Sequence, residues 1–140
     1  MREVVVTGAG CVTPLGLDAA SSWRACLEGR TGVRLLDHAW MDREEFRTWI
    51  GAPLRGFDLV GRGFMPKDLK TIDPTCWYAI AATKEALENA GFTLERTDDK
   101  DTRYAIGGID PERCATFIGS GVGGLTTFEA CHRQWSLHGT

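Results

Sequence analysis

The chain has 140 residues, 43% hydrophobic and 25% charged, which is the composition of one ordinary soluble domain able to bury a core. Its formal charge of −3 and pI near 5.6 argue against broad nucleic-acid binding, which needs a basic stripe to displace counterions from phosphates. No run reaches the roughly 18 apolar residues of a membrane span, and the opening Met1-Arg2-Glu3-Val4-Val5-Val6 is too short for a signal-peptide core, so a cytoplasmic protein is expected.

Val4-Val5-Val6 is a β-branched run ending at Thr7-Gly8-Ala9-Gly10, and it reads as a buried strand in the centre of a sheet feeding a glycine turn. After Pro14 and Gly16, Asp18 caps a predicted helix to about Leu27, with Ala19, Trp23 and Leu27 on the stripe that should pack on the sheet. Asp42 to Ile50 reads as a short helix. The Gly-, Pro- and charge-rich stretch that follows, to Lys70, has the composition of a lid or docking loop. The strongest helix has Asp73 as cap, Pro74 at its first position and a body from Thr75 to Ala90 before Gly91. Its Ala79, Ala82, Ala86 and Ala90 form a small-residue stripe that permits close packing.

The charged segment from Thr93 to Arg113 is expected to be a solvated surface insertion. Cys114 to Ile118 is a second strand candidate, followed by the loop Gly119-Ser120-Gly121-Val122-Gly123-Gly124. A last helix runs from Leu125 to Leu137, starting with Thr126 or Thr127. The order strand, helix, helix, strand, helix predicts an α/β sheet with crossover helices, yet two strands cannot sustain a parallel sheet. The chain is therefore expected to be an N-terminal piece of a larger fold.

The loop satisfies Gly-x-Gly-x-x-Gly, but a dinucleotide site also needs a further strand and an acid about 20 residues on, and the chain runs only to Thr140. At the first turn Thr13 stands where the third glycine would be. No Gly-Lys-Ser/Thr follows either loop, which excludes a P-loop. The five cysteines, Cys11, Cys26, Cys76, Cys114 and Cys131, contain no Cys-x-x-Cys and are read as reduced thiols, mostly small buried side chains. Cys131 and His132 are adjacent on a helix and so point about 100° apart, which disfavours a nucleophile and base pair. His132 and His138 have no partner at metal-ligand spacing.

"VVVTGAGCVTPLG" (residues 4–16) resembles the opening of β-ketoacyl-acyl-carrier-protein synthases of the KAS I/II type. "KTIDPTCWYAIAATKEALENAG" (residues 70–91) resembles the helix that follows an Ile-Asp or Met-Asp signal in that family. "IGSGVGGLTTFE" (residues 118–129) is similar to its Gly-Ser/Thr-Gly-hydrophobic-Gly-Gly loop. The resemblance covers nearly the whole chain except the 93–113 stretch, which is longer than usual for the family.

That resemblance implies a thiolase-like fold, of which residues 1–140 would be the N-terminal part only, an incomplete version of its layered αβαβα architecture. It implies a two-step decarboxylative condensation on acyl and malonyl groups carried by acyl carrier protein, in a homodimer, with no metal or organic cofactor. The nucleophilic Cys and both His of the family lie downstream of the glycine loop, so no catalytic residue is expected in this chain and the piece alone is expected to be inactive. By the same resemblance Val122 would line the acyl pocket, the alternative being a turn residue packed in the core. Lys67 and Lys70 would contribute to docking the acidic carrier, the alternative being ordinary solvated lysines. Gly8, Gly10, Gly119, Gly121, Gly123 and Gly124, with Thr13, Pro14 and Gly16, are assigned to architecture. Two other readings stay open: a silent chain-length-factor-like subunit of a polyketide system, and a nicotinamide-binding oxidoreductase fragment.

Overall fold

The computed structural model describes residues 3–37, 44–65, 67, 72–97 and 104–139. The chain divides into two units, one of Cys11–Phe57 and one of Met1–Gly10 with Asp58–Thr140.

The smaller unit is organised by the turn at Thr13-Pro14-Leu15-Gly16. Thr13 Oγ1 accepts from the backbone N–H groups of Leu15 and Gly16, at 3.1 and 3.2 Å, and lies 2.9 Å from the hydroxyl of Ser22. Ser22 Oγ in turn donates to the Gly16 carbonyl, so a buried hydroxyl is satisfied by the turn it packs against. The turn delivers the chain into α1, Ala19–Leu27, whose cap is Asp18 as expected: its carboxylate accepts from Ser21 N–H at 2.7 Å. The expected apolar stripe is corrected. Ser22 and Ala25 are the buried residues of α1, whereas Trp23 and Leu27 are exposed, because no sheet lies beneath them among the described residues.

Further along, Arg34–Leu35 (β1) pairs antiparallel with Ile50–Gly51 (β2). The helix expected over 42–50 is not formed in its described part. Residues 44–49 turn and Ile50 enters the β2 ladder, since a ladder partner outweighs a weak helical pattern. Asp42 itself lies outside the described residues.

In the larger unit the dominant element is α2, Pro74–Asn89, with Asp73 as N-cap, Pro74 in the first turn, Ala90 as C-cap and Gly91 at φ +84° beyond it. Leu94–Arg96 (β3) and Tyr104–Ile106 (β4) form an antiparallel hairpin in register Leu94 to Ile106. This corrects the reading of the 93–113 stretch as a wholly solvated insertion. Its charges dominate the composition, but Leu94, Tyr104 and Ile106 share a groove with Ile80 and Leu87 of α2. A single 3-10 turn, Pro111–Arg113, precedes the second glycine loop, and α3 covers Leu125–His138.

The two predicted central strands are also corrected. Val4–Val6 and Cys114–Ile118 belong to no ladder among the described residues, and Val4, Val6 and Phe117 are 92%, 91% and 94% exposed. A β-branched run becomes a strand only when a neighbour takes its backbone hydrogen bonds. The described residues thus make a small mixed α/β assembly whose buried apolar side chains are Ala25, Phe64 and Ala81.

Candidate functional site

The site is built on α2 and on the two glycine motifs that meet the larger unit. Gly8 and Gly10 lie directly on the α2 backbone. A Cβ at Gly8 would fall 2.7 Å from the Ala90 nitrogen and 2.9 Å from the Ala90 side chain; one at Gly10 would fall 2.7 Å from the Ala86 nitrogen. Two residues of extended chain advance about 6.6 Å and four helical residues about 6 Å, so each second residue of this segment meets the next turn of the alanine stripe. Asn89 Nδ2 fixes the register by donating to the Ala9 carbonyl at 2.7 Å. The stripe of Ala82, Ala86 and Ala90 therefore admits a strand-like segment. Neither Gly8 nor Gly10 has a positive φ, so close approach rather than turn geometry is why both must be glycine.

The second motif has the opposite physics. Nothing lies within 4 Å of a Cβ built on Gly119, Gly121 or Gly124. Gly123 and Gly124 sit at φ +58° and +57°, where any residue with a Cβ is strained, and Gly124 forms the left-handed N-cap of α3 without a side chain to bond the helix. Val122, between them and Gly121, is 78% exposed and is not packed in a core.

α3 is exposed along its whole length, and the side chain that reaches its first turn comes from α2's cap. Asp73 Oδ1 accepts from Thr75 N–H at 2.9 Å, while Oδ2 accepts from the Thr127 amide at 2.9 Å and the Thr127 hydroxyl at 2.8 Å. One carboxylate therefore serves two helix N-termini. The Thr75 amide foremost holds the Asp73 carboxyl down at about 2; desolvation pushes the other way by more than either Thr127 hydrogen bond alone, and the Thr127 hydroxyl and amide together with Thr75 outweigh it. The sequence reading gave Thr126 or Thr127 to α3 as a local start signal. Thr127 instead donates across 54 residues of chain, a link that no local spacing announces.

Beside these motifs runs an apolar groove of about 230 Å³, walled by Ile80 and Leu87 of α2, Leu94 and Ile106 of the hairpin, and Ile118 before the glycine loop. Tyr104 also lines it. Its ring carries Lys84 Nζ at 5.0 Å and the Arg96 guanidinium at 5.7 Å, and its hydroxyl accepts from Arg96 at 3.4 Å. The Arg96 hydrogen bond, with the charge of Lys84, lowers the Tyr104 pKa. Arg96 also donates to the Gly63 carbonyl at 2.6 Å, tying the hairpin to the Asp58–Met65 turn that sequence alone marked as a lid or docking loop. Phe64 in that turn is buried, so the turn is anchored on both sides.

Lys67 is exposed, and Lys70 lies outside the described residues. The expectation of mostly buried cysteines is corrected: Cys26, Cys76, Cys114 and Cys131 are exposed and Cys11 is half-buried, because the elements that carry them lack covering partners. His132 lies near the rings of Phe128 and Trp135, with centroids at 6.3 Å in both cases, in the i−4 and i+3 directions rather than toward Cys131. Among the described residues no group of three or more His, Cys, Asp or Glu side chains gathers as metal ligands. No helix among them is long and apolar enough to cross a membrane.

Residues 1–136 match the family described as beta-ketoacyl synthase, N-terminal domain. The chain is 36% identical over 131 residues to 3-oxoacyl-acyl-carrier-protein synthase 2 of Vibrio harveyi, across 94% of this chain and 28% of that protein. It is 35% identical over 132 residues to the synthase of the same name from Vibrio cholerae, and 29% identical over 133 residues to that from Staphylococcus aureus, again across 28% of each relative. It spans a little over a quarter of the length of the curated relatives it matches. The motifs at residues 4–16, 70–91 and 118–129 fall inside the matched span, and on that match the chain belongs to the beta-ketoacyl synthase N-terminal domain family.

Proposed function

We propose that residues 1–140 are the N-terminal portion of a thiolase-fold condensing enzyme that lengthens carrier-bound acyl chains for fatty-acid synthesis. In this reading a cysteine thiolate, located with two histidines in sequence that follows the glycine loop in the family, attacks the thioester carbonyl of an acyl carrier. The carrier thiol leaves and an acyl-enzyme forms. Malonyl-carrier then loses carbon dioxide, its carbanion attacks the acyl-enzyme carbonyl, and the cysteine thiolate is expelled as the 3-oxoacyl carrier forms, the histidines stabilising the developing oxyanion.

This chain contributes walls rather than the nucleophile. The observation that carries the proposal is the exposed Val122 in a loop where Cβ atoms built on Gly119, Gly121 and Gly124 meet no neighbouring atom, inside a family-matched motif. Such a loop brings one aliphatic side chain and bare backbone against an apolar chain, and it requires no phosphate. Lys67 and Lys70 form the basic approach for an acidic carrier, an effect exerted mostly on encounter rate and weakened by salt. The exposed Val4–Val6 and Phe117–Ile118 runs take their sheet partners from the remainder of the thiolase fold, and the complete enzyme acts as a homodimer in the cytoplasm without metal or organic cofactor.

The test is to incubate the full-length polypeptide with acyl-carrier and malonyl-carrier and to read the carrier-bound products by intact mass. A carrier bearing the acyl chain two carbons longer, with a 3-oxo group, is expected. Malonyl-carrier decarboxylated without elongation would instead identify a silent, chain-length-factor-like subunit.

A further inference from the structure

Resting on the reading of Val122 as a wall of the acyl site, we propose that Asp73 is a positioning residue for that site: through Thr127 it fixes the glycine loop and hence where Val122 stands. Glycine loops have the greatest backbone freedom of any segment, so a loop with four glycines in six residues defines a ligand wall only if its ends are held. Among the described residues little else holds this one. Built Cβ atoms on Gly119, Gly121 and Gly124 meet nothing, α3 has no buried residue, and its N-cap Gly124 has no side chain to satisfy the helix's orphan N–H groups. Asp73 supplies that acceptor from a distance and does so twice, taking the Thr127 amide and hydroxyl on one oxygen while the other caps α2.

Two features make the carboxylate specific. Only an ionised carboxylate presents two acceptor atoms, so an amide in its place would turn an N–H₂ group toward the donors of either Thr75 or Thr127. The negative charge also sits at the positive ends of two helix dipoles at once. Because α2 is itself in close contact with the Gly8–Gly10 segment, the loop's position is referred to that helix and its neighbour.

The experiment uses the full-length polypeptide and two readouts: hydrogen exchange of peptides covering residues 119–127, and the ratio of kcat/KM for a long against a short acyl-carrier. Asp73→Asn and the milder Thr127→Val are expected to speed exchange of 119–127 by roughly tenfold while leaving 94–106 unchanged. Both should move the long-to-short ratio by about threefold, with Thr127→Ser restoring wild-type values. Unchanged exchange at 119–127 in both variants would overturn the positioning role. Faster exchange with an unchanged ratio would uphold the anchoring and overturn the acyl-wall reading on which it rests. If Asp73→Asn does not fold, Thr127→Val with its Ser rescue decides the question alone, since that variant keeps the α2 cap.

Discussion

The two glycine motifs look alike in sequence and do different physical work. At Gly8-Ala9-Gly10 the glycines make room: a helix backbone lies where their side chains would be, and their own φ values are ordinary. At Gly119, Gly121 and Gly124 there is room to spare, and in this loop glycine is demanded only at Gly123 and Gly124, by positive φ. A pattern of Gly-x-Gly therefore does not report a function until one knows whether space or conformation requires it. The first motif makes room for a helix, and the second leaves an exposed loop beside α3.

That contrast can be broken by substitution. The largest effect is expected from Gly8→Ala or Gly10→Ala, because the obstructing atoms are helix backbone that cannot move aside; a loss of about 3 kcal/mol, read from the urea midpoint, follows from overpacking. A smaller loss at either site would mean that α2 and the segment separate easily. Next comes Gly124→Ala, where space is open and only the left-handed conformation resists, for about 1 to 2 kcal/mol, with Gly124→Asn milder. Gly119→Ala should lie within about 0.5 kcal/mol of wild type in the 140-residue chain, having neither a clash nor a positive φ against it.

A pH titration sharpens the same comparison at the anchor of the second motif. The Asp73 carboxyl is held at about 2, below its ordinary 3.8, so its contribution is present in full above about 4 and fades as acid carries the pH down toward 2. Exchange at residues 119–127 should rise over that window in wild type and show no such step in Asp73→Asn. The Gly8–Gly10 segment meets α2 through Ala86, Ala90 and the hydrogen bond from Asn89 to the Ala9 carbonyl, and those contacts should not follow it.

How much of this could be read from sequence depends on the distance over which each signal acts. Asp18, Asp73, Pro74, Gly91 and Gly139 are local stop and start signals, and the three helices run within a residue or so of where those signals place them. Strands answer to partners. Val4–Val6 and Phe117–Ile118 have the right side chains and no ladder, while the hairpin at Leu94–Ile106 was hidden by the charges around it. The Ala82, Ala86 and Ala90 stripe announced a close neighbour without saying which, and Asp73's second role was illegible because its donor lies 54 residues away. Family motifs marked Val122, and composition alone could not have separated an exposed loop valine from a packed one.

The central claim is that the second glycine loop presents Val122 to an acyl chain. It is tested most directly by Val122→Phe in the full-length polypeptide, measuring kcat/KM for elongation of long and short acyl-carriers. The account predicts a selective loss, with the long chain falling by about tenfold or more relative to the short one as the larger ring fills the wall. Equal retention of both, with the fold intact, would contradict it and return Val122 to the status of a loop residue.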